Sequence, residues 1–231
     1  MTSSNALSNL DPELEALKLN LVDMLSLVNS QLAKCKEATM NADLDLAKEV
    51  MSIEKRVNSL DLAIDKDCEN ILALYTPVAT DLRFVLASIK ISNDLERIGD
   101  NAEGIAGLLI HVMEKAEDDM IAKFKLTEMF DVAISMLSDM EEAVENEDTI
   151  LARQIFAKDE FLNENNKKAD SVAKELIQTY PDSIKLILKL FSIVRKLERV
   201  GDLAKNIGEE VIFHIEAKVL KHKKDQKKKK K

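Results

Sequence analysis

Two stretches of the chain place acids where a helix would hold them together. Residues 93–106 read NDLERIGDNAEGIA, and residues 195–208 read RKLERVGDLAKNIG. Glu96 and Asp100 stand four apart, as do Glu198 and Asp202, so on a helix each pair shares one face. Like charges so placed repel by roughly 0.2–0.5 kcal/mol even in solvent. Upstream on the same face the residues are apolar (Leu82, Val85 and Ile89; Ile184, Ile187 and Phe191), which implies partial burial. A half-buried carboxylate must be neutralised or find a counter-ion. Arg97 and Arg199 directly follow the first acid, but helix neighbours diverge by about 100°, so neither covers its pair. A bound cation would. All-oxygen ligation suits Mg²⁺ or Mn²⁺, and carboxylate clusters also hold iron. The plainer alternative is a solvated stripe of ion pairs.

Glycine placement adds to the pattern. Gly99, Gly104, Gly107, Gly201 and Gly208, all the glycines of the chain, lie in these two stretches or just beyond them. A glycine inside a helix costs roughly 1 kcal/mol against alanine. Gly99 and Gly201 directly precede the Asp, which fits close approach of a ligand or a packing notch for another helix. Other chemistries find no support. His111, His214 and His222 make no pair at metal-ligand spacing, no Ser-His-Asp or Cys-His set can be assembled, and no glycine-rich loop follows a strand. No reaction is specified, and the expectation is a protein that is not an enzyme.

Composition sets the elements that must position those acids. Five Gly, three Pro and 4% aromatic residues leave little for sheets, while 46% hydrophobic and 32% charged residues suit amphipathic helices. No apolar run approaches the roughly 18 residues of a membrane span. The start, MTSSNALSNLDPELEALK, has neither a basic segment nor an apolar core, so nothing argues for export. Cys35 and Cys68 lack CxxC spacing and read as buried thiols of a cytoplasmic protein. Residues 218–231 carry nine Lys and one Asp, about +8, which leaves a body near −17 against the net −9 of the chain. An acidic body does not suit nucleic acid, whose partners carry basic residues on a folded face. The tail reads as a solvated, disordered end, with a weak tether to an anionic surface as its functional alternative.

Apolar periodicity places six long helices at about 12–38, 42–75, 77–115, 119–146, 148–179 and 181–220. Pro12, Pro77 and Pro181 mark helix starts, and Asn41 and Asp148 read as caps. Short loops force successive helices antiparallel. The chain also repeats itself. Asp43 matches Asp148, Ala47 matches Ala152 and Asn58 matches Asn163 at one offset, while Glu96 to Glu198 gives an offset three shorter. A short deletion therefore separates the second and third helices of the later copy. The fold class expected is all-α, with two tandem duplicated three-helix bundles joined end to end near residue 117 as a rod. The divisions are a disordered 1–10, bundles at 11–116 and 117–217, and the tail 218–231. Ile91, Leu95, Ile98, Ala102, Ile105, Leu109 and Val112 would be core, as would Leu197, Val200, Ala204, Ile207 and Val211.

The two motif helices, with TPVATDLRFVLASIKIS before the first and NIGEEVIF after the second, resemble those of the PhoU family of phosphate-signalling regulators. The similarity covers the chain apart from its first ten residues and the Lys-rich tail. It implies a homodimer of two three-helix bundles that binds metal on E/DxxxD motifs. It also implies a negative regulator working between a phosphate ABC transporter and a sensor histidine kinase, with no nucleic acid partner and no insertion into the membrane. The motif acids are then Glu96, Asp100, Glu198 and Asp202, joined from the preceding helices by Glu54 and Asp159. The family's second acid there is an amide in both copies, Asn58 and Asn163. The residue after Gly-Asp, often His in the family, is Asn101 and Leu203. Glu103 in the first copy faces Lys205 in the second, which implies a poorer second site. The ions implied are divalent or trivalent: iron, zinc, magnesium or manganese. Two other readings stay open, a ferritin-like di-metal bundle, which would want Glu-x-x-His, and a coiled-coil scaffold.

Overall fold

The computed structural model describes residues 10–110 and 116–220. Of the segments expected to be disordered, 1–10 and 218–231, residues 1–9 and 221–231 lie outside that range, as do His111, Val112 and His222, whereas Leu10 is a buried residue of the first helix. The described residues form helices α1 (Leu10–Asn41), α2 (Leu44–Tyr75), α3 (Ala79–Ile110), α4 (Asp118–Phe124), α5 (Leu126–Asn146), α6 (Thr149–Thr179) and α7 (Ile184–Glu216). There is no strand among them.

The repeat is visible in its turns. Ala42 and Glu147 both take a left-handed backbone, with φ of 55° and 54°. The next residue, Asp43 or Asp148, sends its own N–H back to the carbonyl of Ala38 or Ala143. Each Asp then caps the following helix. Asp43 accepts from the N–H groups of Asp45 and Leu46 (2.9 and 3.1 Å), and Asp148 from those of Ile150 and Leu151 (2.7 and 3.2 Å). Asn41 is thus not the cap; it is the last residue of α1. At the second connection the copies diverge. Pro77 precedes α3 by two residues, whereas Pro181 opens a one-turn 3₁₀ helix (Pro181–Ser183) ahead of α7. This is where the three-residue deletion falls, and both helices begin later than the proline signal indicates.

The expected helix at 119–146 is broken. Lys125 adopts a φ of 52°, and its N–H closes the end of α4 on the carbonyls of Ala122 and Ile121. The bend buries Met120 and Phe124 on one side of the break and Leu126 on the other, so apolar burial offsets the strained residue.

Helices α1, α2 and α3 pack as one bundle and α5, α6 and α7 as another, with α4 lying across the second. The halves do not stand end to end. They lie side by side, with α3 antiparallel to α7 and α1 against α5. Along the α3–α7 seam Arg83 Nε donates to the His214 carbonyl (3.0 Å), Lys90 pairs with Glu210 (3.0 Å), and Lys196 fills the notch left by Gly104. Across α1–α5, Lys36 pairs with Asp131 and Asn29 donates to Ser138. The reason is legible in α3 and α7: each buries two adjoining faces, and only a second bundle can cover the second face. The core stripes from Ile91 to Ile105 and from Leu197 to Val211 are buried as expected, with Leu109 half-buried. Cys35 and Cys68 are buried thiols pushed up to about 12 by desolvation, with Sγ directed at the α3 carbonyls of Ala102 and Val85.

Candidate functional site

Each repeat buries one acid of its second helix beneath the glycine of its third. Glu54 of α2 is 3% exposed and Asp159 of α6 is 5% exposed. A Cβ on Gly99 would stand 2.6 Å from Glu54 Oε2, and one on Gly201 would stand 3.2 Å from Asp159 Oδ1 and 2.5 Å from a Leu162 methyl. The glycine therefore gives the carboxylate room to enter the helix–helix contact. Among the described residues, Glu54 Oε1 and Asp159 Oδ1 lack a hydrogen-bond partner. A buried oxygen left in that state is costly.

Around that shared frame the two copies differ in charge. In the first, Gln31 Nε2 donates to Glu54 Oε2 (2.8 Å) and to the Val50 carbonyl (3.3 Å). Burial pushes the Glu54 carboxyl up to about 6, and the nearby charges of Asp100, Glu103 and Glu96 push the same way against the Gln31 hydrogen bond. Glu96 is itself raised by burial, then by Asp100 and by Asp61 of α2. Arg97 turns aside to pair with Asp94 (3.0 Å). Five carboxylates thus share this face: Glu54, Asp61, Glu96, Asp100 and Glu103. Asp100 is exposed, Glu96 and Glu103 half-buried.

In the second copy Lys205 stands where Glu103 does in the first. Its ammonium donates to Asp159 Oδ2 (2.9 Å) and to Asp202 Oδ1, bridging the two helices. Asn163 also donates to Asp159 (3.0 Å), and the Asn166 side chain hydrogen-bonds to Glu198. Glu198 is raised by burial and then by Asp202, while the Lys205 ammonium is held above its ordinary range by its two acids despite its own desolvation. The repeat equivalents lower the negative charge of the second copy and also remove its counterpart of Gln31. Glu103 becomes Lys205, Asp61 becomes Asn166, and Gln31 falls at Met136, a buried apolar residue.

The structure places Glu54 on the same face as Glu96, Asp100 and Glu103, and Asp159 on the same face as Glu198 and Asp202. Gln31, Asp61 and Asn166 were missed. Asp61 and Asn166 carried a signal, since each lies seven residues after its buried acid on the same helix face. Gln31 carried none, because its register against α2 depends on tertiary packing. His214 packs its ring against Phe84 (5.0 Å between centroids), with burial holding the imidazole below its ordinary range.

Whether these residues suit a metal has a different answer in each copy. The first presents hard oxygen donors only, an orphaned buried carboxylate oxygen and no bridging ammonium, which is a donor set for a hard cation. The second already holds its cation in Lys205, and a metal there would meet that charge. Among the described residues no group of three or more His, Cys, Asp or Glu side chains converges closely enough to hold an ion as the side chains stand. A cation at the first copy would have to draw exposed acids such as Asp100 inward.

Fold and site together define a class: an all-α protein of two repeated three-helix bundles, each presenting an acid pair on its third helix over a buried acid from its second. The PhoU domain matches the chain twice, over residues 21–109 and 126–211. The phosphate-specific transport system accessory protein PhoU homolog 1 of Thermotoga maritima is 34% identical over 202 residues, covering 87% of this chain and 86% of its own. The accessory protein PhoU of Escherichia coli is 30% identical over 214 residues, covering 91% and 86%. The crystal structure of PhoU from Pseudomonas aeruginosa superposes with a TM-score of 0.84 at 30% identity, over 90% of this chain and 99% of that one. The chain belongs to the PhoU family.

Proposed function

We propose that the chain is a non-catalytic negative regulator of phosphate uptake and phosphate-regulon signalling. It acts as a cytoplasmic homodimer between a phosphate ABC transporter and a sensor histidine kinase. The observation that carries this reading is family membership over nearly the whole chain, with relatives named as accessory proteins of phosphate-specific transport. Two features agree with it. No described helix is long and apolar enough to cross a membrane, so contact with a transporter would be peripheral. The acid face offers a cation site rather than a catalytic set. In this reading residues 11–116 and 117–217 are two domains of one design but unequal charge, and Glu54, Glu96, Asp100 and Glu103 hold a divalent or trivalent ion. Glu198, Asp202 and Asp159 bind it less tightly or not at all, because Lys205 competes.

The test is genetic and biochemical. Deleting the gene should raise a phosphate-starvation reporter in phosphate-rich medium, and the intact chain should restore repression. The purified chain should capture the transporter's ATPase subunit and the kinase. An unchanged reporter in the deletion strain would overturn the proposal.

A further inference from the structure

The repeat also exposes a second kind of site, away from the acids. A cavity of about 210 Å³ opens at one end of the seam between the bundles. It is formed by the starts of α1 and α3 and the ends of α5 and α7. Its floor is apolar, built on Phe84, Ala87, Val144 and Ile215. The repeat-equivalent seam lies at the other end of the molecule, and there the described residues leave only about 20 Å³. The same helix positions line both. Phe84, Ala87 and Ile91 correspond to Leu186, Lys189 and Ile193, and Val144 and Glu147 correspond to Thr39 and Ala42. Among the described residues, Lys189 lines the closed seam where Ala87 lines the open one.

The rim differs as well. Asp11, Glu15, Asp81 and Glu147 surround the opening, and among the described residues Lys18 is the one ammonium lining it, 4.0 Å from Glu147. Arg83 lies nearby but is engaged with the His214 carbonyl and the Thr80 hydroxyl. The closed seam has no acid among its described lining residues and does have Lys189. An inorganic phosphate or a carboxylate entering the open cavity would meet like charge at its mouth. A cavity of about 150 Å³ accommodates benzene, so this one takes a single ring with a short side chain.

We propose that this inter-bundle cavity is a binding site for a small organic ammonium ion with an aromatic or compact apolar body. The ring would rest beside Phe84 and the ammonium among the rim acids. Such a ligand would contact both bundles at once and would favour the packed arrangement of α3 on α7 over any looser one.

The experiment uses the full-length chain and phenethylammonium as the probe, followed by calorimetry and ligand-observed NMR. Saturable binding in the millimolar range is expected, with phenylacetate, the anionic counterpart, at least about tenfold weaker and inorganic phosphate giving no competition. Ala87→Lys, which copies the closed seam, should abolish binding. Glu15→Gln with Asp81→Asn, both on the rim, should weaken it by roughly threefold or more without altering the fold. If Ala87→Lys does not fold, the rim pair alone decides the outcome. Equal binding of phenylacetate, unchanged binding in the rim variant, or no saturable phenethylammonium signal would overturn the proposal. Binding of a lysine-rich peptide in the absence of such a signal would also overturn it, in favour of a protein partner at this face.

Discussion

Replacing Glu54 by Gln should stabilise the protein, although it alters a buried residue at the centre of the candidate site. The carboxyl titrates near 6 in the fold against 4.5 in the unfolded chain. Ionising it in the folded protein at neutral pH is therefore disfavoured by about 2 kcal/mol. Glutamine keeps an oxygen to accept from Gln31 Nε2 and turns an amide donor toward the neighbouring carboxylates, so the charge disappears while the shape remains. For a chain of this size about 2 kcal/mol corresponds to a rise of roughly 4–8 °C in Tm. The pH dependence follows from the direction of the shift. The folded state binds the proton more tightly, so wild type gains stability as pH falls from about 6 toward 4.5 and loses it as pH rises through that window. The variant lacks this contribution, and the two curves should converge near pH 4.5. Urea denaturation followed by circular dichroism, in chelator at pH 7.5 and pH 4.5, measures both points. A variant no more stable than wild type at pH 7.5, or a gap that stays the same at pH 4.5, would refute the argument that this carboxylate is held uncompensated. Adding a divalent ion at pH 7.5 should stabilise wild type and leave the variant unchanged.

Four further outcomes are expected. Lys205→Gln removes the ammonium that bridges buried Asp159 to Asp202 and should destabilise the protein by about 3 kcal/mol, measured by the same denaturation. Gly107→Ala should be neutral or stabilising by up to about 1 kcal/mol, because nothing lies within 4 Å of the added Cβ. Gly208→Ala should instead cost about 1–3 kcal/mol, since its Cβ would stand 3.1 Å from the backbone oxygen of Ala152, which cannot swing aside. Finally, Asp100→Asn should lower the metal content of protein purified without chelator more than Asp202→Asn does, by elemental analysis, while helix content is unchanged in both.

The sequence conveyed the design of the half-molecule better than the relation between halves. Asp148 could be recognised as a cap because a short acceptor before an apolar-periodic run has one strong local use. Asn41 was a reasonable competitor to Asp43, and only the left-handed turn at Ala42 places the cap two residues later. The break at Lys125 has no glycine or proline to announce it. It arises because Met120 and Phe124 can reach the core only if the chain bends, and that is a tertiary constraint. The same limit explains the side-by-side arrangement. Periodicity in α3 and α7 shows that two faces are apolar, but which face meets which helix is fixed only when all the helices are packed together. At the site, residues along one helix (Glu96, Asp100, Glu103) were legible from spacing, whereas Gln31 and the unpartnered oxygens of Glu54 and Asp159 required the register between helices.

Duplication turns this register into a controlled comparison. Both copies place a carboxylate under a glycine with one oxygen unpartnered, so that much belongs to the frame. What surrounds it diverged at three positions, two of them toward less negative charge in the second copy. Glu103 against Lys205 is a change of two charge units, Asp61 against Asn166 a change of one, and Gln31 against Met136 removes an amide that partly satisfied the buried acid. Each alone would be an ordinary surface or core substitution. Together they leave the first acid among carboxylates with Gln31 donating to it, and pair the second with the chain's own ammonium. A second copy that still needed a metal would gain nothing from Lys205, whose burial costs solvation and is offset only by Asp159 and Asp202. The second bundle therefore carries a cation of its own where the first presents Glu103. Because α3 carries the first acid cluster and packs along α7, a cation that draws Asp100 and Glu96 inward acts on the helix that joins the two halves.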